Sequence, residues 1–172
     1  MGERLRTPRL SLRPVTPADH AALLAHWSAP LVRHHLFDDA PVTAAHVAEI
    51  IASSRHDFAV AGYGLWALRD AAAGPGAPLL GVAGLRDHGG PDPEILYSLD
   101  PGFWGQGLAE EAAAAVLGYA LEVVGLRRVT AEVDAGNTAS GSLAERIGMR
   151  AERRDADGTA HYAAERTPVP GR

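Results

Sequence analysis

Apolar and polar residues alternate from Arg9 to Arg13 (Arg-Leu-Ser-Leu-Arg), the period of a half-buried strand. The pattern then changes. Thr16 can cap a helix, Pro17 suits its first position, and Asp19 favours the positive helix end. Leu23, Leu24 and Trp27 follow at helical spacing, and Pro30 is expected to end the segment. Val32 to Pro41 reads as a polar, His-rich connection. Thr43 opens a second helix with Val47, Ile50 and Ile51 on one face, broken by Gly62 and Gly64. Leu65 to Arg69, Leu79 to Leu85 and Ile95 to Leu99 read as strands, separated by turns at Gly74 to Pro78 and His88-Gly89-Gly90-Pro91. Leu108 to Val124 is alanine-rich and free of proline, which predicts a long helix stopped by Gly125. A strand over Arg128 to Val133, a short helix over Ser140 to Ile147 and a hairpin over Met149 to Arg166, turning at Asp157-Gly158, complete the chain. The order β-α-α-β-β-β-α-β-α-β-β predicts an α/β (α+β) fold around one sheet.

Composition narrows the chemistry. The length suits one domain, residues 1–172, and 47% apolar with 22% charged residues is ordinary for a globular protein. No apolar run reaches the roughly 20 residues of a membrane helix. Met1 to Arg6 lacks the apolar core of a secretion signal, so a cytoplasmic location without membrane partners is expected. There is no cysteine, which excludes disulfides, cysteine-ligated zinc and a thiol nucleophile. Lysine is also absent, and all 16 basic residues are arginine. A net charge of −5 argues against nucleic acid and favours cationic partners such as amines or basic peptides. The adjacent His34 and His35 make a poor metal pair, there is no His-Glu-x-x-His arrangement, and no metal site is expected.

The most informative segment is a strand, then Asp100-Pro101-Gly102-Phe103-Trp104-Gly105-Gln106-Gly107, then a helix. Glycines let a backbone approach a ligand closely, and the helix start offers unpaired N–H groups and a positive dipole end. Together they predict a bound phosphate or pyrophosphate; a tight loop with a helix cap is the plainer alternative. A Walker A loop is excluded by the missing lysine. The dinucleotide fingerprint fails because Glu110 stands where its third glycine or alanine would fall.

At this point the chain resembles the GNAT superfamily, in particular its RimJ/RimL-like ribosomal-protein N-acetyltransferase branch. The resemblance starts at Thr7-Pro8-Arg9-Leu10-Ser11-Leu12-Arg13-Pro14, with Asp19 after it, and continues through Leu80-Gly81-Val82-Ala83-Gly84-Leu85 and Glu94-Ile95-Leu96-Tyr97-Ser98-Leu99. It is strongest at Trp104-Gly105-Gln106-Gly107-Leu108-Ala109-Glu110-Glu111-Ala112. Asn137-Thr138-Ala139-Ser140 and Glu145-Arg146-Ile147-Gly148-Met149 close it in the right order.

The resemblance implies a single mixed, mostly antiparallel sheet of about six to seven strands, flanked by about four helices and with a splayed central strand pair. It implies acetyl-CoA as cosubstrate and direct transfer of its acetyl group to a primary amine. The Ile95 to Leu99 strand, ending at Leu99, would pair with the pantetheine arm. Trp104, Gly105, Gln106, Gly107, Leu108 and Ala109 would hold the pyrophosphate, and Asn137 would bond the pantetheine, unless it is only a turn residue after Gly136. Glu94 matches an acidic residue proposed as the base, acting directly or through water; the alternative is a surface glutamate. Ser140 matches a serine proposed to protonate the thiolate, although a serine there also suits a helix N-cap. Tyr97, Tyr119 and Tyr162 are further possible donors, and His34 or His35 could assist the amine. The Arg127-Arg128 and Arg153-Arg154 pairs could meet the 3′-phosphate of CoA.

The chain departs from the pattern at Leu96, where relatives commonly carry glycine, and at Glu110, whose charge would oppose the pyrophosphate if it pointed inward. The acceptor is left open between a protein or peptide N-terminal α-amine and a small-molecule amine. A non-catalytic acyl-CoA-binding protein of the same fold is the alternative outside enzymes. A homodimer is a possible assembly.

Overall fold

The computed structural model describes residues 2–168, so both ends of the expected domain, residue 1 and residues 169–172, lie outside the described residues. One mixed sheet of eight strands organises the fold: β1 (Leu5–Arg6), β2 (Leu10–Pro14), β3 (Leu65–Asp70), β4 (Gly81–Arg86), β5 (Glu94–Leu99), β6 (Arg128–Val133), β7 (Arg150–Arg154) and β8 (Ala160–Glu165). Their spatial order is β1-β2-β3-β4-β5-β6-β8-β7, antiparallel everywhere except between β5 and β6. The eighth strand beyond the expected seven is β1, two residues too short for any period to reveal.

The helices are α1 (His20–Ser28), α2 (Pro30–Phe37), α3 (Ala44–Ala61), α4 (Leu108–Gly118) and α5 (Thr138–Arg146). Here one expectation is corrected. Helix α1 ends at Ser28, just before Pro30, as expected, but Pro30 also opens α2, so the connection expected over Val32 to Pro41 is helical as far as Phe37. Proline is tolerated in a first turn, because its missing N–H would have no intrahelical partner there. The helix then ends at Asp38 and Asp39, both in the left-handed region with φ of 49° and 64°. Helix α4 continues as a wider π-helical stretch, Tyr119–Val124, before Gly125 stops it. Tyr119 lies in this stretch; its hydroxyl donates to Gly62 O at 3.0 Å and its ring meets Trp66 edge-on.

Alternation along the central strands divides the core between two faces. Leu65, Ala67 and Val82 face α1 to α3, where Val15, Leu23, Trp27, Val47 and Ile51 are buried. Trp66, Leu68, Ala83, Leu85 and Ile95 face the other way, with Leu108, Ala112 and Val116 of α4. Full burial of each Leu or Val in these layers contributes roughly 1.5–3 kcal/mol. The packing fixes α4 against β4 and β5, and so fixes where its N-terminus lies relative to the end of β5.

The parallel pair is where the sheet opens. Strands β5 and β6 share one register position, Glu94 opposite Thr130, with Thr130 N donating to Pro93 O at 3.0 Å. On its other side β5 pairs with β4 along its whole length. Asp100 N donates to Leu80 O, which sets the phase of that ladder: Glu94, Leu96 and Ser98 bond to β4, while Tyr97 and Leu99 turn their backbone groups towards β6. Past Glu94 there is no β6 residue to receive them.

Candidate active site

A cleft of about 390 Å³ lies where β5 and β6 part, walled by the end of β5, the turn after it, the start of α4, one face of α5 and one side of α2. Its lining includes Leu99, Trp104, Gly105, Gly107, Leu108, Ala109, Asn137 and Ser140, all singled out from the sequence. Gln106 and Glu94 are not among the lining residues. Gln106 instead borders a groove on the other side of the turn. Glu94 is 7% exposed at the start of β5, and its carboxylate accepts two bonds from Arg86, at 3.0 and 3.1 Å.

The turn owes its shape to two left-handed glycines, Gly105 at φ 77° and Gly107 at φ 75°. A side chain at either position would be strained. Gly107 is the N-cap of α4, and the first cap bond runs from Glu111 N to Gly107 O. No acceptor among the described residues takes the backbone N–H of Gly105, Gln106, Gly107, Leu108, Ala109 or Glu110. A run of free N–H groups at a positive helix end is an anion site by construction.

The turn is clamped from outside by a residue the sequence reading passed over. Arg9 on the approach to β2 donates through Nη1 to Gln106 O and through Nε to Glu111, both at 2.7 Å. Burial opposes ionisation of Glu111, but bonds from Thr7, the Arg9 backbone and the Arg9 side chain outweigh it and hold the carboxyl below its ordinary range. The Trp104 indole closes the other side, donating to Leu99 O at 2.8 Å.

On the α5 side, the Asn137 side chain accepts from Ser140 N at 3.2 Å and caps the helix. Asn137 therefore takes the cap role that the sequence also allowed for Ser140. The Ser140 hydroxyl is released from capping and lies 2.8 Å from the Tyr97 hydroxyl. Burial pushes the Tyr97 phenol up, so it stays protonated at neutral pH. Tyr162 lies instead against Gly141 beneath α5, and Tyr119 is spent on Gly62.

The α2 side is made of side chains. His35 lines the cleft, its ring centroid 6.4 Å from that of Trp104, which is 46% exposed at the lip. His34 points to Asp39 at 2.8 Å, outside the cleft. His26 of α1 was not singled out, although i, i+3, i+4 spacing places it beside Leu23 and Trp27 on the buried face. It is 7% exposed, its Nε2 lies 2.8 Å from Ser98 Oγ, and burial lowers its pKa to about 4. None of the paired arginines lines this cleft: Arg128 is tied to Asp92, Glu152 and Glu165, Arg153 to Asp155, and Arg154 to Gly158 O. The arginine in the lining is Arg146, whose Nε meets Glu110 at 2.8 Å.

Comparison with known proteins agrees with this geometry. Residues 9–150 match the acetyltransferase (GNAT) domain. The chain is 28% identical over 153 residues to the N-acetyltransferase p20 of Bacillus licheniformis, covering 87% of this chain and 84% of that one. It is 36% identical over 90 residues to the protein YkkB of Bacillus subtilis (strain 168), a stretch spanning about half of each chain, 51% and 52%. An acetyltransferase from Agrobacterium tumefaciens str. C58 superposes with a TM-score of 0.79 at 26% identity, over 95% of this chain and 94% of that one. Two further structures share the fold. RimL, a ribosomal L7/L12 alpha-N-protein acetyltransferase in complex with coenzyme A, gives a TM-score of 0.78 at 18% identity over 95% and 98% of the two chains. Spermidine N-acetyltransferase from Vibrio cholerae, in complex with CoA and spermine, gives 0.77 at 16% over 93% and 97%. A GNAT domain match over most of the chain, on a sheet that opens beside a glycine turn, places this chain in the GNAT acetyltransferase family.

Proposed function

We propose that this protein is an acetyl-CoA-dependent N-acetyltransferase that moves an acetyl group directly to a primary amine, with a protein or peptide N-terminal α-amine as the first acceptor to test. One observation carries the reading: the N–H groups of Gly105 to Glu110, without partners among the described residues, stand beside the edge of β5 that β6 leaves unpaired. Those groups fit a pyrophosphate, and the outward backbone of Tyr97 with the N–H of Leu99, whose carbonyl is taken by the Trp104 indole, fits an extended, amide-bearing arm. Acetyl-CoA supplies an activated acetyl thioester when bound.

The chain's own residues would do the rest. The turn, with Trp104, Gly105, Gln106, Gly107, Leu108 and Ala109, holds the cosubstrate through its backbone. The Asn137 oxygen is committed to the α5 cap, which leaves its amide nitrogen as a donor to the arm beside Leu99. Ser140 Oγ, backed by the Tyr97 hydroxyl, holds the proton for the departing sulfur. Glu94, at the closed end of the opening, takes the amine's proton through an intervening water, with Arg86 fixing its carboxylate. With no cysteine in the chain a thiol acyl-enzyme is excluded, which supports direct transfer.

The same reading treats residues 1–172 as one catalytic domain working in the cytoplasm, with a homodimer as the assembly to test by sedimentation. The acceptor class is tested by following CoA thiol release with peptides of varied N-terminal residue beside spermidine and simple amines. Turnover with free N-terminal peptides, absent after they are blocked, supports the assigned acceptor. Turnover with small amines alone would reassign it, and release without any acetylated product would remove the transferase.

A further inference from the structure

Resting on that cofactor reading, we propose that Arg146 binds a phosphate of the acyl donor and that Glu110 is the internal anion it leaves in order to do so. The two residues come from different walls of the cleft, Glu110 from the first turn of α4 and Arg146 from the last residue of α5, and both line it. Their contact, Arg146 Nε to Glu110 Oε2 at 2.8 Å, spans the gap between the helices.

Glu110 stands among the free N–H groups, where a carboxylate is favoured by the helix dipole but opposes an incoming phosphate. Arg146 neutralises it through Nε alone; its two Nη atoms have no partner among the described residues. Such a fork suits a phosphate, which it can grip with two parallel bonds. The chain has no lysine to supply that cation. Arg9, the other arginine at the turn, spends Nε and Nη1 on Glu111 and Gln106.

The pair is also cheap to break. Its side chains are 53% and 39% exposed, and exposed pairs of this kind contribute little to stability because water screens them. Donor binding therefore exchanges a weak internal ion pair for a stronger contact between arginine and phosphate, and Glu110 sets how much affinity the exchange loses. The cleft carries its own competitor for the ligand's cation site.

The test compares Arg146→Gln, Glu110→Gln and the double variant, each titrated with acetyl-CoA and assayed with both acetyl-CoA and S-acetylpantetheine, which lacks every phosphate. Arg146→Gln is expected to weaken acetyl-CoA binding by about tenfold or more and to leave KM for S-acetylpantetheine unchanged. Glu110→Gln is expected to tighten acetyl-CoA severalfold, less so as salt is raised. The double variant should recover part of the loss, because the two changes share one contact. Unchanged acetyl-CoA affinity in Arg146→Gln, equal losses with both donors, or weaker acetyl-CoA binding in Glu110→Gln would overturn the proposal while wild-type binding stood. Wild-type protein that failed to bind acetyl-CoA would instead remove the cofactor reading beneath it.

Discussion

The two ends of the cleft are made of different material. At the α4 end the working groups belong to the backbone: free N–H groups, left-handed glycines and an unpaired strand edge. At the α2 end they belong to side chains: His35 against Trp104, and Ser98 backed by the buried His26. A backbone site depends on the chain's path and tolerates many sequences. A side-chain site changes with each residue. Under the proposed function, the difference teaches that the donor is held largely by the fold and the acceptor met by side chains particular to this chain.

The sharpest way to break this contrast is Gly107→Glu. It forces a side chain onto a φ of 75° and a carboxylate into the anion site, and should cut acetyl-CoA affinity at least about 100-fold in calorimetric titration. Unchanged affinity in a folded variant would deny the backbone end its role.

Acid should separate the ends next. His26 is at 6.5 in the unfolded chain and about 4 in the folded one, because burial penalises its charged form. The unfolded state therefore binds a proton that the folded state refuses. Stability is intact above pH 6.5 and falls as pH drops towards 4, by on the order of 3 kcal/mol in full. Thermal melts from pH 7 to 4 should show this fall, and His26→Gln should flatten it; an unchanged slope in the variant would reject His26 as its source.

Smaller effects test the proton carriers. Ser140→Ala should lower kcat about tenfold with little change in KM for acetyl-CoA, and Glu94→Gln should do the same. Loss of donor binding in Ser140→Ala would mean that the Tyr97–Ser140 contact is a wall of the site and not its acid. The smallest expected change is in His35→Ala, which should raise KM for the amine a few-fold and leave acetyl-CoA affinity alone. The reverse pattern would move His35 to the donor half.

The same division explains what the sequence made legible. The β5–turn–α4 segment was readable because glycine pairs, a helix start and a missing lysine each carry a local physical meaning. Seven of the eight strands follow from period and turn chemistry. Helix α2 was hidden because Pro30 stands both just past the end of α1 and in the first turn of α2, where Val32 packs in the same layer as Trp27. In and around the cleft, Tyr97 beside Ser140, Arg146 beside Glu110 and Arg9 beside Glu111 are separated by 43, 36 and 102 residues. No local pattern joins residues so far apart. Asn137 capping α5 in place of Ser140 turned on a choice between two good capping residues three positions apart.

Amide hydrogen exchange, with and without acetyl-CoA, tests the central claim most directly, because the claim concerns individual backbone N–H groups. The account predicts fast exchange at Gly105 to Glu110 and at Tyr97 and Leu99 in the free protein, and marked slowing at those positions when acetyl-CoA is present. Slowing confined to other parts of the chain, with the turn and the β5 edge unchanged, would contradict it.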